Sequence, residues 1–196
     1  MCRFIETICV ENGRAQRLAY HNARLNATRK QFWPGAPEVD LASLVDAKEA
    51  AGRIRCRATY AEQVLGVEYF PYHVRSVRKL KLVEADDVDY RYKYADRTVF
   101  DALMRQRRDA DEVLIVRHGL LTDTSFTNIA LWDGEHWFTP ARPLLEGTKR
   151  QFLLDRGILI PADIPFRALA SYHCISLFNA MLRLGEVVLP CGNIMW

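Results

Sequence analysis

The sequence lacks the features that would place it in a membrane or on nucleic acid. No apolar run approaches the ~20 residues of a membrane-spanning helix, and the N-terminus has no apolar secretory segment. The net charge of +3 is small, and the basic residues form no tract, which argues against a nucleic-acid-binding surface. We therefore expect a cytoplasmic protein that binds neither a membrane nor nucleic acid.

The five cysteines exclude further classes of site. They show no C-x-x-C pair and no other zinc-ligand spacing, so no metal site is predicted. Their odd number argues against a complete set of disulfides, and reduced thiols are expected. The five are Cys2, Cys9, Cys56, Cys174 and Cys191.

The sequence does contain the pattern of a mixed α+β protein. Of its 196 residues, 49% are hydrophobic and 26% are charged, which allows a sizeable core. Alternating hydrophobicity predicts strands over residues 4–10, 15–20, 54–60, 64–72, 74–83, 112–117, 128–132, 136–139, 175–178 and 186–189. Helices are predicted over residues 21–33, 41–51 (capped by Asp40), 95–108 and 147–155. The acidic, irregular stretch 84–89 predicts a boundary between a domain of residues 1–85 and one of residues 86–196.

Three segments carry side chains that suggest chemistry. Lys93 lies between two tyrosines, Asp123 lies in a Thr-rich run, and Gly147-Thr148 precedes a predicted helix. Together they supply an imine partner, a charge for a ring nitrogen and donors for a phosphate, which is the set that pyridoxal phosphate requires. Taken singly, each has an ordinary explanation as a surface lysine, a turn or cap aspartate, and a helix start.

The residues around these segments resemble the class IV aminotransferases, which are the fold-type IV pyridoxal-phosphate enzymes. The similarity extends along nearly the whole chain and rests on several motifs in order. They are Phe4-Ile5-Glu6-Thr7-Ile8, Asn12-Gly13, His21-x-x-Arg24-Leu25, Leu121-Thr122-Asp123-Thr124-Ser125-Phe126-Thr127-Asn128-Ile129, Phe138-Thr139-Pro140, Pro143-Leu144-Leu145 and Gly147-Thr148-x-Arg150. The resemblance implies a two-domain fold like that of D-amino-acid aminotransferase, with a small N-terminal α/β sandwich and a larger C-terminal barrel-like domain. It also implies a pyridoxal 5'-phosphate cofactor and a homodimer.

Roles follow from position in these motifs. The resemblance implies that Lys93 forms the imine with the cofactor and later moves protons as general base and acid. Asp123 stands where the family usually has a glutamate beside the pyridine nitrogen, so its shorter side chain must lie closer or act through a water. Arg24, Gly147 and Thr148 correspond to phosphate-binding positions.

Other positions stay open between a site role and a structural one. Asn179 falls where the family has another phosphate-contacting residue, and it is equally well explained as a turn residue. Glu6 resembles a position near the substrate or is a buried, paired glutamate. His21 is expected to cap or pack the first helix, and Arg97 to pair with a neighbouring carboxylate. The tyrosines beside Lys93 are expected to pack away from its side chain.

The resemblance does not by itself choose the reaction. The residues at 179–181 and the pattern Lys93-x-x-Asp96-Arg97 favour an aminodeoxychorismate lyase, which forms 4-aminobenzoate and pyruvate. The alternatives are an amino-acid transaminase of the branched-chain or D-amino-acid type, and a non-catalytic member that only binds a ligand or partner. The resemblance implies a small amino-acid-like substrate. The family usually has a further segment before the first strand, which covers part of the substrate pocket, and this sequence starts almost on that strand, so the identity of the substrate stays open.

Overall fold

The structure, a computed structural model, describes residues 2–46 and 52–196, which form two compact units. The first unit contains Met1–Val74 and Tyr92–Asp96, and the second contains Arg75–Arg91 and Arg97–Trp196. Both units mix helices with sheets, which confirms the α+β class. The boundary predicted between residues 85 and 86 stays a prediction.

The first unit is an antiparallel sheet with the strand order β2-β1-β3-β4. Its elements are β1 (Phe4–Glu11), β2 (Arg14–Ala15), α1 (Leu18–Phe32), β3 (Arg53–Tyr60) and β4 (Val64–Pro71). Positive φ angles at Asn12 (52°) and Gly13 (70°) form the tight turn between β1 and β2, as the Asn-Gly pair predicts. The strand predicted over residues 15–20 is wrong beyond Ala15, because the chain turns at Arg17 (φ 55°) and α1 begins.

The core of this unit lies between α1 and one face of the sheet. It contains Phe4, Ile8, Val10, Leu25, Leu41, Cys56, Ala58 and Tyr60, all fully buried. Since side chains alternate along a strand, Arg53, Arg55 and Arg57 of β3 lie on the opposite face.

The helix predicted after Asp40 is much shorter in the described residues. Asp40 does cap it, because its Oδ1 accepts a hydrogen bond from Ala42 N at 3.0 Å. Only a single 3₁₀ turn, Leu41–Ser43, follows. The end of the predicted helix falls on residues 47–51, which lie outside the described part of the chain.

The second unit contains two sheets, with strand orders β13-β5-β6-β7 and β10-β9-β8-β11-β12. Its elements are β5 (Leu80–Glu84), α2 (Thr98–Met104), β6 (Glu112–Arg117), β7 (Leu120–Thr124), β8 (Asn128–Trp132), β9 (Trp137–Pro140), α3 (Thr148–Asp155), β10 (Leu159–Ala162), β11 (Cys174–Phe178), β12 (Val187–Pro190) and β13 (Ile194–Met195). The predictions for β6, β8, β9, α3, β11 and β12 are confirmed. The strand predicted over residues 74–83 was too long, since β5 begins only at Leu80 and ends at Glu84. The helix predicted over residues 95–108 begins later, at Thr98, and its last turn, Arg105–Arg107, is a 3₁₀ helix.

The loop between β7 and β8 passes from one sheet of this unit to the other. The loop is tight, with Thr124 N donating to Thr127 O at 3.0 Å and the two hydroxyl oxygens 2.7 Å apart. Asp123 and Asn128 therefore flank the crossing point. Within residues 2–46 and 52–196, no helix is long and apolar enough to cross a membrane.

Candidate functional site

Arg24 of α1 is held against β1 by a buried carboxylate. Its Nε donates to Glu6 Oε1 at 2.9 Å, and its Nη2 donates to Glu6 Oε2 at 2.6 Å. His21, one turn earlier on the same helix face, bonds Oε2 through Nδ1 at 2.6 Å. Of the two readings for Glu6, the buried, paired one is confirmed, and His21 packs the helix as predicted.

The charges in this cluster explain its protonation. Burial alone would raise the pKa of Glu6, but the Arg24 guanidinium and the His21 hydrogen bond outweigh it and lower the pKa to about 2. Glu6 is therefore ionised and only accepts, so His21 Nδ1 carries the donated proton. A guanidinium has five N–H donors, so the two bonds to Glu6 fix Arg24 while using only part of it.

Lys93 lies beside the start of β1 in the same unit. Its carbonyl accepts from Ile5 N at 2.9 Å, and Tyr94 N donates to Tyr92 O at 2.9 Å, so the backbone turns tightly at Lys93. The rings of Tyr92 and Tyr94 both pack on Phe4, with centroid distances of 6.3 and 5.0 Å, on the α1 side of the sheet. The prediction that these tyrosines pack is confirmed.

Asp123 lies on β7 with only 4% of its surface exposed. Its Oδ1 accepts from Asn128 Nδ2 and its Oδ2 from Leu145 N, both at 2.9 Å. Burial raises the pKa of Asp123 to about 6, although these hydrogen bonds act in the opposite direction. A carboxylate has about four acceptor positions, so the two bonds orient Asp123 without exhausting it.

Asn128 links Asp123 to the segment that precedes α3. Its Nδ2 donates to both Asp123 Oδ1 and Leu145 O, each at 2.9 Å, which uses both amide hydrogens. A Cβ at Gly147 would lie 1.9 Å from Asn128 Oδ1, so only glycine fits there. The sequence reasoning gave Asn128 no role. The only signal was its spacing of five from Asp123 across a short loop.

The start of α3 is electropositive. Thr148 is its first residue and is buried, and the backbone N–H groups of a first helical turn point along the axis toward an anion. Arg150 is also buried; its Nη2 donates to Pro140 O at 2.8 Å, and its Nε has no hydrogen-bond partner among the described residues. Burial lowers the pKa of Arg150, which the charge of Asp123 opposes.

Asn179 organises the turn after β11. Its Oδ1 accepts from Met181 N at 2.8 Å and Leu182 N at 2.9 Å, and its Nδ2 donates to Phe126 O at 3.1 Å. These are the contacts of a turn residue, and they also hold the turn against the loop between β7 and β8. Its phosphate-contacting role stays a prediction.

Two charged residues not assigned to the site hold the same loop. Glu112 is fully buried and accepts from Ser125 N at 3.3 Å, Val113 N at 2.9 Å and Arg75 Nη1 at 3.1 Å. Arg97 Nη2 donates to Ser125 O at 2.5 Å. The prediction that Arg97 pairs with a carboxylate is therefore wrong, because it bonds a carbonyl and the Tyr90 hydroxyl instead.

The predicted site residues thus fall into two groups. In the second unit, Asp123 and Gly147 are joined through Asn128, Thr148 follows Gly147 directly, and Asn179 contacts the same loop. In the first unit, Arg24 and Lys93 both attach to the start of β1.

Comparison with known proteins gives consistent matches along the chain. Residues 3–188 match the profile described as amino-transferase class IV. An uncharacterized protein of Haemophilus influenzae is 32% identical over 185 residues, which cover 92% of this chain and 98% of that protein. The crystal structure of a proposed 4-amino-4-deoxychorismate lyase from Haemophilus somnus has a TM-score of 0.86 at 35% identity, covering 94% of this chain and 98% of that one. The PLP-bound form of a hypothetical aminotransferase from Mycobacterium tuberculosis has a TM-score of 0.77 at 18% identity, covering 98% and 81%, which is a likeness of fold alone.

Proposed function

The chain belongs to the class IV aminotransferase family, and we propose that it is a pyridoxal-phosphate-dependent lyase that forms 4-aminobenzoate and pyruvate from aminodeoxychorismate. As a member of this family it is an enzyme that acts on small amino-acid-type molecules. The relative from Haemophilus somnus, 35% identical over nearly its whole length, supports the lyase rather than a transaminase.

One arrangement carries the cofactor assignment. Asn128 bonds the buried carboxylate of Asp123 and lies against Gly147, directly before the start of α3. Asn128 therefore connects Asp123, the proposed partner of the ring nitrogen, to the segment whose N–H groups are proposed to bind the phosphate. The residues fit pyridoxal phosphate in charge as well, because a buried anion and a buried guanidinium nitrogen without a partner lie in the same unit.

Bound pyridoxal phosphate supplies an aldehyde that captures the substrate amine and a ring that withdraws electrons from the neighbouring carbon. The Asp123 carboxylate, held by two hydrogen bonds, would keep a proton on the ring nitrogen. In the second unit, the N–H groups at Gly147 and Thr148 would donate to the phosphate. Arg24 of the first unit, fixed by Glu6, would do so as well, an assignment that rests on its position in the family motif.

Lys93 carries the acid–base chemistry in this proposal. Its Nζ would hold the cofactor through the aldehyde carbon until a substrate amine takes its place. The Lys93 amine would then act as general base at the carbon that bears the substrate nitrogen, and as general acid toward the pyruvate group as it leaves.

Colour tests the cofactor assignment. Purified protein mixed with pyridoxal phosphate should absorb at about 410–430 nm, the range of an imine between the cofactor and a lysine. Lys93→Ala should abolish this band, whereas Lys30→Ala, which removes an exposed lysine of α1, should leave it unchanged. A protein that stays colourless, or a band that survives in Lys93→Ala, would refute the assignment.

Product analysis tests the reaction. The coloured protein given aminodeoxychorismate should release 4-aminobenzoate and pyruvate in equal amounts, and Lys93→Ala should release neither. A parallel reaction contains an amino donor and 2-oxoglutarate. If glutamate forms there while no 4-aminobenzoate appears with aminodeoxychorismate, the enzyme is a transaminase and the lyase proposal is wrong.

The family premise supports two further proposals, a homodimer and a cytoplasmic location. Light scattering on a sizing column should give twice the chain mass of 22.6 kDa. Cell fractionation should recover the protein with cytoplasmic markers.

A further inference from the structure

The fully buried carboxylate of Glu112 has no part in the proposed mechanism. It lies at the start of β6, where the ladder between β6 and β7 ends at the pair Leu114 and Thr124. The backbone N–H groups of the loop that follows Thr124 therefore need acceptors other than the β6 carbonyls. A buried carboxylate is costly unless it is paired and hydrogen-bonded, so the partners of Glu112 show what its charge is used for.

The two oxygens of Glu112 hold two consecutive residues of the loop between β7 and β8. Oε1 accepts hydrogen bonds from Ser125 N at 3.3 Å and Val113 N at 2.9 Å. Oε2 accepts from Arg75 Nη1 at 3.1 Å, and the guanidinium carbon of Arg75 lies 5.5 Å from the centroid of the Phe126 ring. A guanidinium is attracted to the face of an aromatic ring. Glu112 therefore binds Ser125 directly and Phe126 through Arg75.

Arg75 is held more firmly than an ordinary surface arginine. Its Nη2 donates to the Asp111 carbonyl while its Nη1 donates to Glu112, so both ends of the guanidinium fork are fixed. Its side chain is 48% exposed, but its carboxylate partner is fully buried, which distinguishes the pair from the weak kind formed by two solvated charges. A lysine ammonium lacks the planar fork that bonds two acceptors and lies over a ring.

The loop held in this way connects the two residues that orient the candidate site. Asp123 lies at one end and Asn128 at the other, and Asn128 Nδ2 donates to Asp123 Oδ1 at 2.9 Å. The second oxygen of Asp123 accepts from Leu145 N, also at 2.9 Å. A displacement of about 1 Å at either end of the loop is enough to break a bond of this length. The hydrogen bonds of Asp123 therefore depend on where the loop is held.

We propose that Glu112 and Arg75 are positioning residues for the cofactor, which act by holding the loop in the place where Asn128 bonds Asp123. The proposal deepens the proposed function and rests on Asp123 as the partner of the ring nitrogen. A purely structural Glu112 would stabilise only its own contacts at the start of β6. The two roles differ at Leu145, whose N–H bonds Asp123 rather than Glu112 or Arg75.

Amide hydrogen exchange in the cofactor-free full chain distinguishes these roles. The Leu145 N–H exchanges when its bond to Asp123 opens. The reference is the His173 N–H, which bonds Trp132 O at 2.8 Å at the other end of β8. An opening that is local to the candidate site changes the ratio of the Leu145 rate to the His173 rate, whereas a general loss of stability raises both rates together.

Glu112→Gln is the test variant. It keeps one oxygen for Ser125 N but turns an NH2 group toward Arg75, so Phe126 loses the guanidinium that holds it. The ratio of the two exchange rates should rise about tenfold or more, as expected for the loss of a hydrogen bond to a charged group. Visible absorbance should give a dissociation constant for pyridoxal phosphate that is also at least about tenfold higher, since a loosened site binds less well.

Asp109→Asn is the matched control. Asp109 forms an exposed ion pair with Lys79 at 3.4 Å, so the variant removes the same charge from a pair that does not hold the loop. Its rate ratio and its dissociation constant should equal those of wild type. A cooperative thermal transition establishes that each variant is folded. Should Glu112→Gln fail to fold, Arg75→Gln gives the same readout because the Arg75 side chain is half-exposed, with Lys79→Gln as its control.

Failure of this proposal and failure of the proposed function give different results. An unchanged rate ratio or an unchanged dissociation constant in folded Glu112→Gln overturns the positioning role alone, as does an equal change in Asp109→Asn. A wild-type protein that stays colourless with pyridoxal phosphate overturns the proposed function. The exchange measurement, made without cofactor, then still reports whether Glu112 holds the loop.

Discussion

Replacing Asp123 by asparagine should change how the stability of the cofactor-free protein depends on pH. Asp123 is 4% exposed, and burial raises its pKa from 3.8 to about 6 against the hydrogen bonds from Asn128 and Leu145. In the unfolded chain the same carboxyl group is solvated and titrates near its ordinary value. The two states therefore differ in proton affinity by about 2 pKa units.

The sign follows from which state holds the proton more tightly. Because the folded state does, protonation of Asp123 favours folding, and this contribution is complete below about pH 4. It is lost as the pH rises through 6, and little further change is expected above about pH 7. At 1.36 kcal/mol per pKa unit, the loss amounts to roughly 3 kcal/mol in the free energy of unfolding.

Urea unfolding of wild type and Asp123→Asn at pH 4, 5, 6 and 7 measures this contribution. Asparagine does not titrate, so the difference between the two proteins cancels every other group. The variant should also be less stable than wild type by an amount that does not depend on pH, since an amide offers one oxygen to two donors. Beyond that offset, wild type should lose roughly 3 kcal/mol relative to the variant between pH 4 and 7. A difference in the free energy of unfolding that does not change with pH, or that changes in the opposite direction, would refute a buried Asp123 with a raised pKa.

Two other substitutions probe the contacts of the candidate site. Glu6→Gln leaves the Arg24 guanidinium without its anion and should lower the free energy of unfolding at pH 7 by roughly 3 kcal/mol in urea. Since the pKa of Glu6 is lowered to about 2, that loss should shrink as the pH falls from 4.5 toward 2. Gly147→Ala places a Cβ 1.9 Å from Asn128 Oδ1, so it should weaken cofactor affinity by at least about tenfold, as followed by visible absorbance.

Matched controls separate these effects from general damage. Glu11→Gln removes a partly exposed carboxylate that lies 3.8 Å from Arg53 Nε, and it should cost less than about 1 kcal/mol. Gly35→Ala adds a methyl group with nothing within 4 Å. If each test variant behaves like its control, Glu6 does not anchor Arg24 and Gly147 is not a required glycine.

The elements that the sequence predicts well are those with local causes. β8 and β9 combine apolar strands with an Asp-Gly turn, and α3 follows a glycine and ends before another. The start of α1 was missed because Arg17 begins it with a positive φ and no side-chain cap, so no capping residue marks it. The segment before β5 was mistaken for strand because Asp111, about 30 residues away, binds its backbone N–H groups at Arg78 and Lys79.

In the candidate site, too, the sequence predicted what depends on local motifs and missed the contacts between distant parts of the chain. Motif position was enough to single out Lys93 and Asp123, whose roles stay proposals. It could not reveal Asn128 as the link between Asp123 and the segment before α3, because the Leu145 carbonyl is 17 residues from Asn128 in the chain. Arg97 was assigned a carboxylate on general grounds of charge, but the nearest suitable acceptor after folding is the Ser125 carbonyl.

The contact between Asn128 and Gly147 also restricts how this protein can diverge. A larger residue at 147 requires a smaller one at 128, and a side chain at 128 that has no hydrogen-bond donor leaves Asp123 without one of its two partners. Substitutions at these three positions should therefore be inherited together, as a correlated triplet. Related chains that retain asparagine at 128 should retain glycine at 147, even where the other residues of the loop between β7 and β8 differ.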